Sequence, residues 1–204
     1  MNFDELAKEW DNEKNLIRAK SIGDEIKRLL DDNKGLRAMD FGCGTGLVSF
    51  YLKDYFSDIL LVDLSDGMID EANRKIQDTK VENLHTWKGN ILEYNERKKF
   101  DVIYAPLVLH HIDNYREIII KLKNLLEDGG SLIIIDMIKD NGAFHKDSTV
   151  VPVHNGLDPK VIKTMLEDIG FDCITDSNEF FEGTKEKEGN TVHFKLFSIM
   201  GSTK

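Results

Sequence analysis

Four short runs, Leu36 to Phe41, Ile59 to Val62, Val102 to Ala105 and Leu132 to Ile135, are apolar at nearly every consecutive position. Successive side chains of a strand point to opposite faces, so a strand can be apolar throughout only where both faces are covered. Between these runs, Gly46 to Leu52, Asp66 to Ile76 and Tyr115 to Leu126 carry apolar residues at helical spacing, and a weaker strand from Leu84 to Lys88 fits the remaining gap. Repeated strand and helix in alternation specifies an α/β chain, a doubly wound sheet with helices on both faces.

The flanks complete the plan. Phe3, Leu6 and Trp10 open the chain, and Leu16, Ala19, Ile22, Ile26, Leu29 and Leu30 then recur at helical spacing with charged residues between them. Asp158 directly before Pro159 reads as an N-cap and a first helical position, and Gly170 as a stop, which predicts a helix over 159–169. Two strand-like runs follow, Phe171 to Phe181 and Thr191 to Met200, joined by the charged stretch Glu182 to Asn190, expected to be a mobile connection between antiparallel strands. The sum is a seven-stranded sheet, mostly parallel, ending in an antiparallel strand pair. A chain of 204 residues without repeats or a linker is read as one domain.

The residues with the most chemical content are Met39-Asp40-Phe41-Gly42-Cys43-Gly44-Thr45-Gly46-Leu47-Val48-Ser49, a strand entering a glycine-rich turn and then a helix. Glycines let the backbone turn tightly and let a ligand touch main-chain atoms, and the first turn of a helix offers free N–H groups. A dinucleotide fingerprint wants Gly or Ala three residues after its second Gly, where this chain has Leu47. Asp63 ends the second strand in Leu61-Val62-Asp63-Leu64-Ser65, a place from which a carboxylate can accept from both hydroxyls of a ribose. Met68, in the helix that follows, offers a soft apolar surface for a flat base. The ligand is therefore read as a nucleoside with a charged tail.

These residues resemble the class I S-adenosylmethionine-dependent methyltransferases, which have a Rossmann-like doubly wound sheet. Asp40 with Gly42, Gly44 and Gly46 is similar to the family's first motif, and Asp63 to the acid at the end of its second strand. The resemblance implies S-adenosylmethionine as cofactor and S-adenosylhomocysteine as product. It places the methionine part on the loop, Cys43 included, and the ribose on Asp63. Leu64, Met68, Asn90, Ile91 and Ala105 complete the cofactor set. Asn90 stands where members commonly have an Asp that accepts from the adenine amino group, a bond that an amide oxygen can also accept. Leu125 to Leu132 looks like the turn into strand five, with Asp128 where Pro is frequent. The resemblance runs from about residue 36 to 136. Residues 1–34 then become an N-terminal helical cap, 35–137 the cofactor-binding core, and 138–204 the acceptor-side loop, helix and final strands. The opening Phe3 to Asp11, Gly142 to His145 and His154 to Asp158 are similar to small bacterial members of unassigned acceptor.

A sulfonium is an activated methyl donor, so such an enzyme has mainly to align a nucleophile and exclude water. Where the acceptor carries a proton, a base must remove it, and His is the usual group. Ligands of these sheets sit at the carboxyl ends of the strands. His110 and His111 follow strand four, Asp136 follows strand five, and His145 and His154 precede the Asp158 helix. His111, His110 and His154 are the catalytic candidates, with a capping or packing role as the alternative for each. Adjacent His110 and His111 in an extended segment would point to opposite faces and no acidic cluster accompanies them, so no metal is expected. Trp10 either folds over the cofactor as a lid or anchors the first helix.

The acceptor is expected to be a small molecule. With 37 Asp and Glu against 27 Lys and Arg the net charge is -10, which repels phosphate backbones and anionic lipid. Ala105-Pro106-Leu107 also lacks the Asn/Asp-Pro-Pro-aromatic motif of members that methylate bases, and its Ala105 stands where metal-using members have Asp. Neither nucleic acid nor membrane is expected as a partner. Cys43 and Cys173, the two cysteines, are read as small space-fillers in a reducing, cytoplasmic setting. Two other readings remain at this point. One is an NAD-dependent oxidoreductase, which shares the loop and the acid but not Leu47. The other is a cofactor-binding sensor or partner subunit without catalysis.

Overall fold

The apolar runs lie side by side in the computed structural model, which describes residues 3–31, 33–140, 152–187 and 190–204. β1 (Arg37–Phe41), β2 (Asp58–Asp63), β3 (Leu84–Lys88), β4 (Phe100–Pro106) and β5 (Leu126–Met137) are parallel, and β6 (Asn178–Lys187) and β7 (Asn190–Ser202) complete one sheet in the order β3-β2-β1-β4-β5-β7-β6. β7 runs antiparallel to both its neighbours, with Ile134 opposite Ile199 and Thr184 opposite His193. The chain starts at the centre of the sheet, winds outward through β2 and β3, and returns to β4. The switch point therefore falls between β1 and β4, where Asp40 pairs with Tyr104.

The strand side chains divide with period two. Met39, Leu60, Ile103, Leu132 and Ile134 pack on one face beneath α5 (Tyr115–Asn124) and α6 (Pro159–Ile169), through Ile119, Leu122, Ile162 and Leu166. Ala38, Ile59, Leu61, Tyr104 and Ile133 pack on the other, beneath α2 (Glu13–Leu29), α3 (Leu47–Leu52) and α4 (Asp66–Thr79), through Ile22, Ile26, Leu52 and Ala72. Both faces are covered, which is why apolar side chains point to both sides of these strands. The short α1 (Phe3–Leu6) precedes α2.

Local signals set the helix ends. Asn12, Ser65, Asn114 and Asp158 each cap a helix with the side-chain oxygen accepting from a backbone N–H, and α6 stops at Gly170 with φ 84°. Glu25 docks α2 on the end of the chain: it is buried, and accepts from Ser198 Oγ, Asn178 Nδ2 at 3.0 Å and the Arg28 guanidinium at 2.8 Å.

The end of the chain departs from the sequence expectation in two places. No strand starts at Phe171: residues 171–177 cross from α6 to the sheet with Cys173 at φ 47°, and β6 begins only at Asn178. Cys173 is exposed there and fills no space. The stretch from Glu182, expected to be a mobile connection, is paired backbone as far as Lys187 opposite Asn190. Backbone hydrogen bonds and facing opposite charges hold this ladder, with Glu182 opposite Lys195 and Lys195 Nζ 3.0 Å from Glu179, so it needs no apolar alternation.

Candidate active site

The glycine turn leaves β1 over the end of β2. Gly42 and Cys43 both donate their N–H to the carbonyl of Val62, at 2.8 and 3.0 Å, which folds the loop back across the sheet. Gly42, Gly44 and Gly46 all have positive φ (74°, 54° and 83°), so side chains would strain each position. Their surroundings differ. A Cβ on Gly42 would stand 2.3 Å from Val108 Cγ2, and one on Gly46 2.7 Å from Leu61 Cδ2. A Cβ on Gly44 would meet only Trp10 Nε1 at 3.7 Å and Met68 Sδ at 3.8 Å. Gly42 and Gly46 are thus glycines because the fold is tight there, and Gly44 forms a cradle. The Cys43 thiol is buried, and burial pushes its pKa up, away from a nucleophile's range.

Asp40 lies beneath this loop, fully buried. Its Oδ2 accepts from Ser49 Oγ at 2.6 Å, Ser49 Oγ lies 3.0 Å from the Tyr104 hydroxyl, and Oδ1 has no hydrogen-bond partner among the described residues. Burial, aided by the charge of Asp63, pushes the Asp40 pKa up to about 7. Ala105 is also fully buried and presents no side-chain surface.

Asp63, at the tip of β2, bridges the loop and the next helix: Oδ2 accepts from Gly44 N at 2.8 Å and Oδ1 from Ser65 N at 2.9 Å. Burial raises its pKa while these backbone N–H groups oppose the rise. Around it, Leu64 is 69% exposed, Met68 is buried beside Gly44, and Asn90 is exposed with Oδ1 accepting from Leu92 N at 3.1 Å. Ile91 is buried in the core, so its backbone is what it offers a ligand.

The opening segment runs over this region. Asp4 Oδ1 accepts from Ser65 Oγ at 2.6 Å and from Gly67 N at 2.9 Å, and Asp11 bonds Thr45 Oγ1 and, at 2.6 Å, Lys75 Nζ. The Phe3 ring meets Trp10 edge-on at 6.1 Å and His111 at 5.2 Å. The Trp10 ring borders Gly44, and its carbonyl accepts from Asn15 Nδ2 of α2 at 2.7 Å. No local pattern of chain spacing assigns Asp4 and Asp11 a role by themselves. Their signal is an aromatic-Asp pair repeated seven residues apart, Phe3-Asp4 and Trp10-Asp11.

His110 and His111 sit in a 3-10 turn, not an extended segment, so their rings lie side by side with centroids 4.1 Å apart. His110 is buried, and its Nδ1 lies 2.6 Å from Oδ1 of buried Asp136 at the end of β5. His154 N donates to the His110 carbonyl at 2.9 Å, His154 Nε2 lies 3.1 Å from the Ile112 carbonyl, and its ring meets Tyr115 edge-on. The structure therefore brings all three catalytic candidates together; His145 lies outside the described residues. Among the described residues no group of three or more His, Cys, Asp or Glu is placed to hold a metal ion.

Residues 39–132, the span from the glycine loop through β5, match the family model described as a methyltransferase domain. Over that span the chain is similar to the class I S-adenosylmethionine-dependent methyltransferases. An uncharacterized methyltransferase of Schizosaccharomyces pombe is 30% identical over 149 residues, 65% of this chain and 52% of that protein. A malonyl-[acyl-carrier protein] O-methyltransferase of Ilyobacter polytropus is 30% identical over 134 residues, 64% of this chain and 48% of that one. The chain thus spans about half the length of these curated relatives. A S-adenosylmethionine-dependent methyltransferase structure from Aquifex aeolicus shares the fold at a TM-score of 0.76 and 16% identity, over 98% of both chains. S-adenosylmethionine is this family's cofactor, and the residues present suit it: an open cradle at Gly44, a carboxylate at the tip of β2, and exposed apolar surface at Leu64. Among the described residues no helix is long and apolar enough to cross a membrane.

Proposed function

We propose that this methyltransferase is an active enzyme that moves a methyl group to a small-molecule acceptor by direct in-line transfer. The observation that carries the reading is the junction of Gly44 with Asp63, where a loop open to a ligand and an acid at the tip of β2 are joined by one 2.8 Å hydrogen bond. Gly42, Cys43, Gly44 and Gly46 would hold the methionine part. Asp63 would take the ribose, with Leu64, Met68, Asn90 and Ile91 around the adenine. Asp40 and Ala105 would support the cradle from beneath. When bound, the cofactor supplies a methyl group already activated on a sulfonium. The protein's own work is then to hold the acceptor in line, keep water out and take any proton released. The opening segment, with Phe3 and Trp10 over the loop, suits the exclusion of water.

Calorimetric titration with S-adenosylmethionine, S-adenosylhomocysteine and NAD tests the cofactor. One-site binding of the first two without NAD is expected, and NAD binding alone would overturn the reading. Transfer of labelled methyl to hydroxyl, amine or carboxylate acceptors tests the activity. Binding without transfer to any acceptor in a broad metabolite screen would favour a sensor over an enzyme.

A further inference from the structure

We infer that Arg18 is the seat for an anionic group of the acceptor, a carboxylate or a phosphate, beside the carboxyl end of β5. This deepens the methyl-transfer reading above and rests on it. Contacts along α2 fix where Arg18 stands. Gly23 lies against the Tyr51 ring of α3, Lys27 Nζ sits 4.2 Å from the centre of that ring, and Asp24 accepts from the Tyr51 hydroxyl, so one flank of α2 faces α3. Ala19, Ile22 and Ile26 pack on the sheet. Glu25, on the flank away from α3, meets Ser198 of β7 and Asn178 of β6. At 3.6 residues per turn, residue 18 shares the flank of residue 25, two turns earlier and about 10 Å along the axis.

The earlier turns lie nearer the carboxyl edge of the sheet, because Asn15 donates to the carbonyl of Trp10, whose ring borders Gly44. Ser198 stands opposite Ile135, so Arg18 comes past that level, where Met137 ends β5 opposite Leu196 of β7. It faces away from α3 and from the glycine loop that leads into α3. The strand ends beneath it are those on the far side of the switch point from β2, whose tip carries Asp63. Leu107 and Met137, at the ends of β4 and β5, belong to the same packed layer as Ala19 and Ile22. An acceptor held there by its anion would lay an apolar or aromatic body across those strand ends, towards the cradle at Gly44.

A guanidinium has five N–H donors. Among the described residues the side chain of Arg18 makes one hydrogen bond, from Nη2 to Asn15 Oδ1 at 2.8 Å, and no carboxylate answers its charge. Arg28, Arg37 and Arg74 each lie against an acid. Arg18 is half-buried, and burial pushes its pKa down to about 10, which leaves it a cation at neutral pH. A desolvated cation without an anion costs stability, and a planar fork of free donors matches an oxyanion in two-point contact. The simpler role for such a side chain is to cover apolar surface with its stem.

The test uses protein carrying 15N-labelled arginine, saturated with S-adenosylhomocysteine, the Arg18 Nε–H signal being identified by its loss in Arg18→Gln. Benzoate, phenyl phosphate and neutral benzamide are titrated in turn. The Arg18 signal is expected to move and saturate with at least one anion and to stay still with the amide, while that of exposed Arg74 stays still throughout. The more tightly bound anion names the group, and Arg18→Gln should weaken it at least about 10-fold. A signal unmoved by both anions, or moving in step with Arg74 without saturation, would overturn the proposal. Arg18→Met keeps an apolar stem and removes the charge, so in anion-poor buffer it should be at least as stable to denaturant as wild type; a clear loss of stability would make Arg18 a packing residue and overturn the anion seat. Arg18→Gln should leave the affinities for S-adenosylhomocysteine and for methylthioadenosine, which lacks the amino-acid tail, in their wild-type ratio. A selective loss for the former would put Arg18 on the cofactor's own carboxylate and overturn its assignment to the acceptor. Failure of the wild type to bind S-adenosylhomocysteine would sink the methyltransferase reading itself, whereas an Arg18 signal unmoved with that ligand bound strikes the anion seat alone.

Discussion

Asp4, in the first described turn of the chain, accepts from the hydroxyl of Ser65 at 2.6 Å and so shares the capping residue of α4. One serine both starts α4 and anchors the opening segment of the chain. The start of α4 and the anchoring of the opening segment are therefore joined at a single side chain.

Asp4→Ala should release that segment. The Ser65 and Gly67 bonds hold the Asp4 carboxyl below its ordinary pKa, so the tether is fully present above about pH 4 and is lost as pH falls through the lowered value. Near neutral pH the variant should be cut by trypsin after Lys8 several-fold faster than wild type, with unfolding by denaturant little changed. Equal cleavage rates would mean that the segment is held by Phe3, Trp10 and Asp11 alone.

Asp40→Asn should flatten the pH dependence of stability. The carboxyl has an ordinary value of 3.8 and a folded value of about 7, so the folded state binds the proton more tightly. Its contribution is intact below about pH 4 and is lost as pH rises towards 7, on the order of 4 kcal/mol at most. Denaturant midpoints at pH 5 and pH 8 should therefore differ more in wild type than in the variant. A difference of the same size in both would show that Asp40 is not the group responsible.

Gly42→Ala and Gly44→Ala should separate folding from binding. The first drives a Cβ into Val108 at a strained φ and should destabilise by roughly 2–4 kcal/mol. The second meets only ordinary contacts, so its φ of 54° should cost roughly 1–2 kcal/mol. Its new methyl lies in the cradle, and calorimetry should show S-adenosylhomocysteine affinity reduced at least as much as in Gly42→Ala. Unimpaired affinity in Gly44→Ala would remove the cradle from the site.

Asp63→Asn keeps the shape of the side chain and removes its charge. Hydrogen bonds to charged groups contribute about 1.5–3 kcal/mol, so affinity for S-adenosylhomocysteine should fall roughly 10- to 150-fold. The single amide oxygen can keep only one of the two bonds, from Gly44 N or from Ser65 N, and its NH2 then faces the other N–H. A dissociation constant within twofold of wild type would exclude a ribose contact.

The sequence alone determined what depends on neighbours within a few positions. Continuous apolar runs define β1, β2, β4 and β5, and Asp158-Pro159 with Gly170 bounds α6 at 159–169 as read, because caps and periodicity act over one or two turns. The glycine turn and Asp63 were legible for the same reason, since each sits at the end of its own strand. Tertiary structure decided the rest. The pairing of His110 with Asp136 spans 26 positions, and the anchoring of Asp4 on Ser65 spans 61. The ladder from Glu182 to Lys187 is stable only because β7 lies against it. A pattern along the chain reports which faces must be buried, whereas the pairing of polar groups is set by whichever strand ends the packed sheet brings together.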